Sequence, residues 1–302
     1  MSASDPARRD LAALLSQASV EVSSRGHQLP ELRDHFRAGT EVTITFLPGD
    51  NYRHNAETAS GLRRAGFNPV PHIAAREMVS REALDDFLAR LKGEAAVTRI
   101  LLIAGDVAAA KGPFRSSFDV AAGGSIEAHG FARVSVAGHP EGHPFLAAAP
   151  VLKAFEAWRN WGQRTRISVD VMTQFCFEAV PILAFIGELE AHGIELPVIV
   201  GLAGPASPAT LTKFALRCGI GNSMRALRGQ IGRFGRLLTD TGPDDVMRGL
   251  RSAPEAATAP IAGFHLFPFG GLRKAAEWSH EYQREALREV EQAASRAGAR
   301  TP

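Results

Sequence analysis

The segment ILLIAGD, residues 100–106, is a run of five apolar residues that closes on a glycine and an aspartate. Similar short, β-branched runs recur along the chain, and helical periodicity separates them. A polar residue stands at or just past the end of six of these runs: Glu21, Thr45, His72, Asp106, His139 and Gln174. One strand, one helix and two turns take roughly 25–35 residues, so the spacing predicts repeated βα units. Since strand ends of a parallel barrel converge on one face, we expect a (β/α)8 TIM barrel with these groups in one pocket.

The whole chain is predicted to form one barrel domain, residues 1–302, because a barrel needs about 250 residues. The predicted strands are residues 18–22, 41–46, 68–71, 100–104, 133–136, 167–173, 197–202 and 263–267. A leading helix is expected at residues 5–16 and a closing helix at 272–296. The regular spacing breaks between the seventh and eighth strands. Residues 219–260 are therefore predicted to be a helical insertion before the eighth strand.

The amino-acid composition and charge of the chain indicate which class of protein it belongs to. The chain is 45% hydrophobic and 22% charged, which is ordinary for a protein that buries a large core. Its 34 basic residues nearly balance 32 acidic ones, so we expect neither nucleic acid nor a membrane as partner. Cys176 and Cys218 form no CxxC pair and indicate reduced thiols. The N-terminus lacks an apolar signal segment, so a cytoplasmic location is predicted, with homo-oligomer formation left open.

Several strand-end segments resemble, in order, those of the methylenetetrahydrofolate reductase family. They are SVEV (19–22), VTITF (42–46), PHIAARE (71–77), LLIAGD (101–106), VSVAGHPEGHP (134–144) and VMTQFCF (171–177). The last is close to the family's ITQFFF, and the resemblance extends over residues 18–277. It implies a barrel enzyme that reduces 5,10-methylenetetrahydrofolate with NAD(P)H through bound FAD. The implied small-molecule partner is a folate.

The resemblance also implies roles for individual residues. The implied catalytic residues are Glu21 and Asp106, and the implied substrate-binding residues are Glu21, Asp106, Gln174 and Phe214. The implied FAD-binding residues are Thr45, His72, Gly105, Asp106, Ser117, His139 and His143. The reaction needs an acid near the pterin, and burial at a barrel mouth should raise the pKa of Glu21 so that it holds a proton near neutral pH. The side chain of Gln174 offers a donor and an acceptor to the pterin amide edge.

Other interpretations stay open. His139, Glu141 and His143 are zinc ligands by type, but Pro140 and Pro144 exclude the helical HExxH geometry, so no metal is predicted. The arginines at 225, 228, 233 and 236 form either a solvated helix face or an anion site. Several family positions around the flavin phosphates are changed, which favours weak FAD retention. The alternatives are direct hydride transfer from NAD(P)H without flavin, and a barrel that binds pterin or flavin without turnover.

Overall fold

The chain forms a closed barrel of eight parallel strands, as the spacing predicts. The computed structural model describes residues 10–26, 28–142, 147–218 and 240–298. Each strand pairs with the next, and β8 pairs back with β1 through Ser19↔His265 and Val20↔Leu266. The strands are β1 Ser19–Ser23, β2 Glu41–Thr45, β3 Asn68–Ala74, β4 Arg99–Ile103, β5 Arg133–Gly138, β6 Ser168–Thr173, β7 Val198–Ala203 and β8 Ile261–Phe267.

Helices follow the strands and cover the outside of the barrel. They are α1 Leu11–Ser16, α2 Leu29–His35, α3 Tyr52–Arg64, α4 Arg81–Ala95, α5 Ser117–Ala122, α6 Ser125–Ala128, α7 Ala148–Thr165, α8 Ala179–Ala191, α9 Pro208–Arg217, α10 Asp244–Ser252, α11 Glu255–Thr258 and α12 Leu272–Gly298. A short 3-10 helix, Ala75–Glu77, follows β3. None of the described helices is long and apolar enough to cross a membrane.

Local chemistry explains where the helices begin and end. The hydroxyls of Ser80 and Ser207 accept the third backbone N–H of α4 and α9. Ser116 forms a reciprocal capping box with Asp119 at the start of α5. These interactions satisfy N–H groups that have no partner inside a helix. After α8, Gly193 takes a φ of +63°, a conformation that suits glycine and stops the helix.

Some predicted boundaries are wrong. Strand β3 continues to Ala74, so His72 lies inside the strand rather than past its end. Pro69 and Pro71 misled the prediction, because proline usually marks a strand boundary. The described part of the insertion is helical, as predicted, and contains α10 and α11. Residues 219–239 lie outside the described residues, as do residues 1–9, so the leading helix is seen only from Leu11.

The barrel interior consists of a polar layer below an apolar layer. Near the N-terminal ends of the strands, Arg99 is 5% exposed and contacts Asp170 at 2.8 Å, Ser135 at 2.8 Å and Glu41. Arg133 contacts the other Asp170 oxygen at 2.8 Å. The apolar layer comprises Val70, Leu101, Met172 and Ile199, with Ile103 packed on it. Charged groups buried in this way are stable only when paired, and this network pairs them.

Candidate active site

The two predicted acids lie at the C-terminal end of the barrel, where the strand ends converge. Glu21 is on β1, and Asp106 is three residues past the end of β4. Cys218 follows α9, and its pKa is raised to about 11 by burial and by the negative charges of Glu21 and Asp106. Cys218 also lines a small cavity with His139 and Gln174. These predicted residues therefore gather around one mouth.

Glu21 is a partly buried acid, and among the described residues His72 is the one basic side chain within 4 Å of its carboxyl group. Its side chain is 19% exposed. Burial raises its pKa from 4.5 to about 8, because the charged carboxylate loses hydration that the neutral acid scarcely needs. The expected upward shift is thus found. Glu21 holds a proton at neutral pH, in a position from which a general acid can deliver it.

His72 is the nearest ionisable neighbour of Glu21. Its Nε2 lies 3.8 Å from Glu21 Oε2, which is too long for a hydrogen bond. Burial lowers the pKa of His72 to about 4, so the ring is neutral at physiological pH. Nε2 is buried and makes no hydrogen bond to any described residue. A neutral imidazole with an unused nitrogen beside a protonated carboxyl group is poised to interact with a polar ligand.

A second histidine lies deeper in the barrel, and each of its two ring nitrogens has a hydroxyl group as neighbour. His265 of β8 is completely buried, and its Nδ1 lies 2.8 Å from Ser19 Oγ. Its Nε2 lies 3.5 Å from Thr43 Oγ1. Burial lowers the pKa of His265 to about 3, with smaller contributions from His72 and Arg99. The contrast separates His265, a structural residue, from His72, whose Nε2 is unpaired.

The segment before Asp106 brings bare backbone close to the mouth. Gly105 takes a φ of +91°, and a Cβ at this position would lie 3.3 Å from the Ala74 Cβ. Only glycine adopts this conformation readily. The N–H of Arg76 donates to the Ala104 carbonyl at 2.9 Å, which fixes the segment against the end of β3. Asp106 is consequently held at the rim, exposed to solvent.

Gln174 occupies the loop directly after β6. Its backbone N–H donates to the Gly138 carbonyl at 2.8 Å, and its side-chain Oε1 accepts the Phe175 N–H at 3.1 Å. The adjoining cavity of about 10 Å³ is bordered also by His139, Cys176 and Cys218. The acceptor that we predicted for a pterin is therefore already engaged locally. A ligand would have to share it or displace the Phe175 N–H.

Phe214 lies in an aromatic cluster that the sequence analysis missed. Its ring stacks on Phe269 with centroids 4.2 Å apart, and Phe269 packs on Phe267 and Phe175 at 5.7 and 4.8 Å. The alternating aromatics of FHLFPFGG, residues 264–271, were the available signal. One face of Phe214 is thus occupied by protein. Contact of its ring with substrate stays a prediction.

The remaining predicted cofactor residues differ in placement. Thr45 ends β2, paired with Ser23, and its Oγ1 is buried without a hydrogen-bond partner in the described part of the chain. Ser117 begins α5, and no described hydrogen bond or ion pair joins it to Glu21 or Asp106. His139 starts the turn after β5, in which the Gly142 N–H donates to the His139 carbonyl at 2.9 Å. His143 lies outside the described residues.

These features fit the ring of a flavin. Thr45 Oγ1 and His72 Nε2 are buried polar atoms with unused hydrogen-bonding capacity, and such atoms normally find a partner. Gly105 lets the chain pack closely against Ala74, since a Cβ there would lie 3.3 Å from the Ala74 Cβ. Arg76, in the short helix after β3, already donates to the Arg115 carbonyl at 2.9 Å and to the Val107 carbonyl at 3.4 Å. Thr45 Oγ1 and His72 Nε2 are therefore the atoms of this region that a ring could use.

No protein-family model matches the chain. Among solved structures, it is similar to an uncharacterized protein from Clostridium thermocellum that binds two copies of 5-methyl-5,6,7,8-tetrahydrofolic acid. The TM-score is 0.54 at 11% identity, over 92% of this chain and 98% of that chain. A likeness at this identity shows the shared barrel fold. Dihydropteroate synthase from Thermus thermophilus aligns with a TM-score of 0.47 at 15% identity, over 89% of this chain and 95% of that chain.

Proposed function

We propose that this barrel reduces 5,10-methylenetetrahydrofolate to 5-methyltetrahydrofolate with NAD(P)H, with Glu21 as the general acid. The observation that carries the proposal is Glu21 at the barrel mouth, where burial raises its pKa to about 8. The resemblance of SVEV, residues 19–22, to the first strand of the methylenetetrahydrofolate reductase family assigns this residue as the acid. The Clostridium thermocellum barrel with the same fold binds 5-methyltetrahydrofolate, which is the product of this reaction. That neighbour supports a folate as the ligand class.

The chemistry assigns one proton to Glu21. Its carboxyl proton passes to N10 of the folate, the bond between N10 and the methylene carbon breaks, and an N5 iminium forms on the substrate. Hydride then adds to that carbon and gives the N5-methyl group. Proton delivery by a positioned acid contributes typically about 10²–10⁴-fold to such a rate. After transfer, the neutral ring of His72 lies 3.8 Å from the new carboxylate.

FAD is the proposed hydride carrier. When bound, it would take hydride from NAD(P)H and give it to the folate. Thr45, His72 and Gly105 would hold the ring, with Asp106 at its edge. A carboxylate there disfavours an anionic charge on its neighbour and so tunes the readiness to give up hydride. Gln174 and Phe214 would bind the pterin side of the substrate.

The test of the acid is Glu21→Gln, which keeps shape and hydrogen bonding but removes the transferable proton. We expect folate reduction to fall by about 10²–10⁴-fold, while NAD(P)H oxidation by the flavin-loaded variant with an artificial acceptor persists. The second half of this result separates loss of the acid from loss of the fold. Folate reduction at the wild-type rate would show that Glu21 is not the acid.

The test of the carrier uses protein stripped of flavin. Added FAD is expected to restore NAD(P)H-dependent reduction of the folate, and Asp106→Ala is expected to abolish the restored rate. Full activity in stripped protein, with no increase on adding FAD, would replace this proposal by direct hydride transfer from NAD(P)H. A barrel that binds the folate but turns it over under neither condition would be a binding protein.

A further inference from the structure

A cavity of about 250 Å³ lies at the N-terminal end of the barrel, opposite Glu21. The first residues of β2, β4 and β5, namely Glu41, Arg99 and Arg133, border it. We call it the N-terminal cavity and define it by Gln17, Arg37, Glu41, Arg99, Arg133 and Gly263. This end of a TIM barrel is ordinarily filled by side chains and serves stability. An open space here therefore requires an explanation.

Gly263 of β8 enlarges this space because it adds no side chain to the barrel interior. A Cβ built at Gly263 would lie 3.3 Å from the tip of the Ile199 side chain, so only one flexible methyl group limits a larger residue. Gly263 does not take the left-handed conformation, and the backbone would accept another residue. Glycine at this position is not required by a turn. Its effect is to keep the N-terminal cavity open.

The charges around the N-terminal cavity do not balance. The guanidinium group of Arg99 is already paired with the carboxylates of Glu41 and Asp170. Arg133 uses Nε on Asp170 at 2.8 Å, and its side chain, 40% exposed, makes no other hydrogen bond to a described residue. Arg37 donates only to the neutral side-chain oxygen of Gln17 among the described residues. Three guanidinium groups thus stand against two carboxylates, and the unpaired capacity belongs to Arg37 and Arg133.

We infer that the N-terminal cavity is a second ligand site, which binds a compact oxyanion of the phosphate or carboxylate class between Arg37 and Arg133. The planar guanidinium fork matches both groups and binds them through paired hydrogen bonds. The volume of about 250 Å³ is smaller than the roughly 300–1,000 Å³ of pockets for larger ligands. The ligand is accordingly a small anion rather than a nucleotide or a folate, and the site is separate from the proposed reductase chemistry.

The experiment titrates inorganic phosphate and, separately, succinate into the full chain, by calorimetry and by the shift in Tm. Ionic strength is held constant with chloride. We expect saturable binding of at least one anion, at least ten-fold weaker in Arg133→Gln and weaker also in Gly263→Val, which narrows the cavity without changing charge. The anion that binds identifies the class. Arg90→Gln is the matched control, since Arg90 is 35% exposed, pairs with Asp86 and Glu94, and lies on α4 away from the cavity.

Two results would overturn the inference. One is the absence of saturable binding of both anions to the wild-type protein. The other is binding that Arg133→Gln and Gly263→Val leave unchanged, since the anion would then bind elsewhere. Circular dichroism establishes that each variant folds, and Gly263→Ala replaces the valine variant if that one does not. Because every measurement is of binding, the outcome is independent of whether the chain reduces folates.

Discussion

Glu21→Gln should make the protein more stable while it removes the proposed acid. The folded state keeps the carboxyl group of Glu21 protonated up to a pKa of about 8, whereas the unfolded chain ionises it from 4.5 upward. Between these values the unfolded state binds fewer protons, so stability falls as the pH rises. A glutamine has no proton to lose and avoids this penalty. Replacement of a functional residue often makes a protein more stable in this way.

The magnitude follows from the same interval. Each pKa unit is worth about 1.4 kcal/mol, so ionisation of the unfolded chain from 4.5 to pH 7 costs the wild-type protein on the order of 3 kcal/mol. The variant should therefore exceed the wild type in free energy of unfolding by about 3 kcal/mol near pH 7. The difference should shrink towards zero near pH 4. It should stop growing above about pH 8, where Glu21 ionises in both states.

The assay is urea unfolding followed by tryptophan fluorescence at several pH values from 4 to 9. Trp158, Trp161 and Trp278 are buried and report loss of the core. Glu178→Gln is the control, because Glu178 is exposed at the start of α8 and makes no capping hydrogen bond. Parallel stability curves for wild type and Glu21→Gln over this range would refute the reasoning, since Glu21 would then ionise alike in folded and unfolded chains.

Three further outcomes are expected. Arg99→Met should lower the free energy of unfolding by about 3–5 kcal/mol in urea, because it leaves the buried carboxylate of Asp170 short of a partner, and equal stability would contradict the network. Ser116→Ala should cost about 0.5–2 kcal/mol by loss of the capping box, measured in the same way, and an unchanged midpoint would argue against it. His72→Leu should move the basic limb of the pH–rate profile to higher pH, because the carboxylate of Glu21 loses a polar neighbour, and an unmoved limb would exclude that coupling.

The barrel could be predicted from sequence because its strands are buried on the helix-facing side and closed by short polar loops. The helix starts at Ser80, Ser116 and Ser207 follow local rules, since capping depends on a serine and the few residues after it. The end of β3 could not be predicted from a local pattern, because its continuation past Pro71 depends on pairing of His72 and Ala74 with β4. Contacts between distant segments leave no local pattern.

The candidate site also contains some residues that the sequence identifies and others that only long-range contacts bring together. Glu21 was identified through the resemblance of SVEV, residues 19–22, to the family's first strand, and the cost of an acid inside a strand adds weight to a role for it. The stack of Phe214 on Phe269 could not be predicted. The two residues meet only when α9 and the segment that follows β8 fold over the same rim. Arg99 and Arg133, at the first positions of their strands, carry no local sign in the sequence that they are paired inside the barrel. Only barrel closure turns them inward against Asp170.

Two groups of buried polar residues, one near each end of this barrel, differ in how they are paired, and the difference supports the proposal that the C-terminal end carries the chemistry. At the N-terminal end, Arg99, Asp170 and Ser135 satisfy one another at 2.8 Å, as groups selected for stability do. At the C-terminal end, Glu21 and His72 stand 3.8 Å apart, too far to satisfy each other. A barrel able to build the first network could have paired these two as well. Leaving them unpaired lowers stability and keeps a proton and an imidazole nitrogen available to a ligand, which is the arrangement that proton transfer to a bound substrate requires.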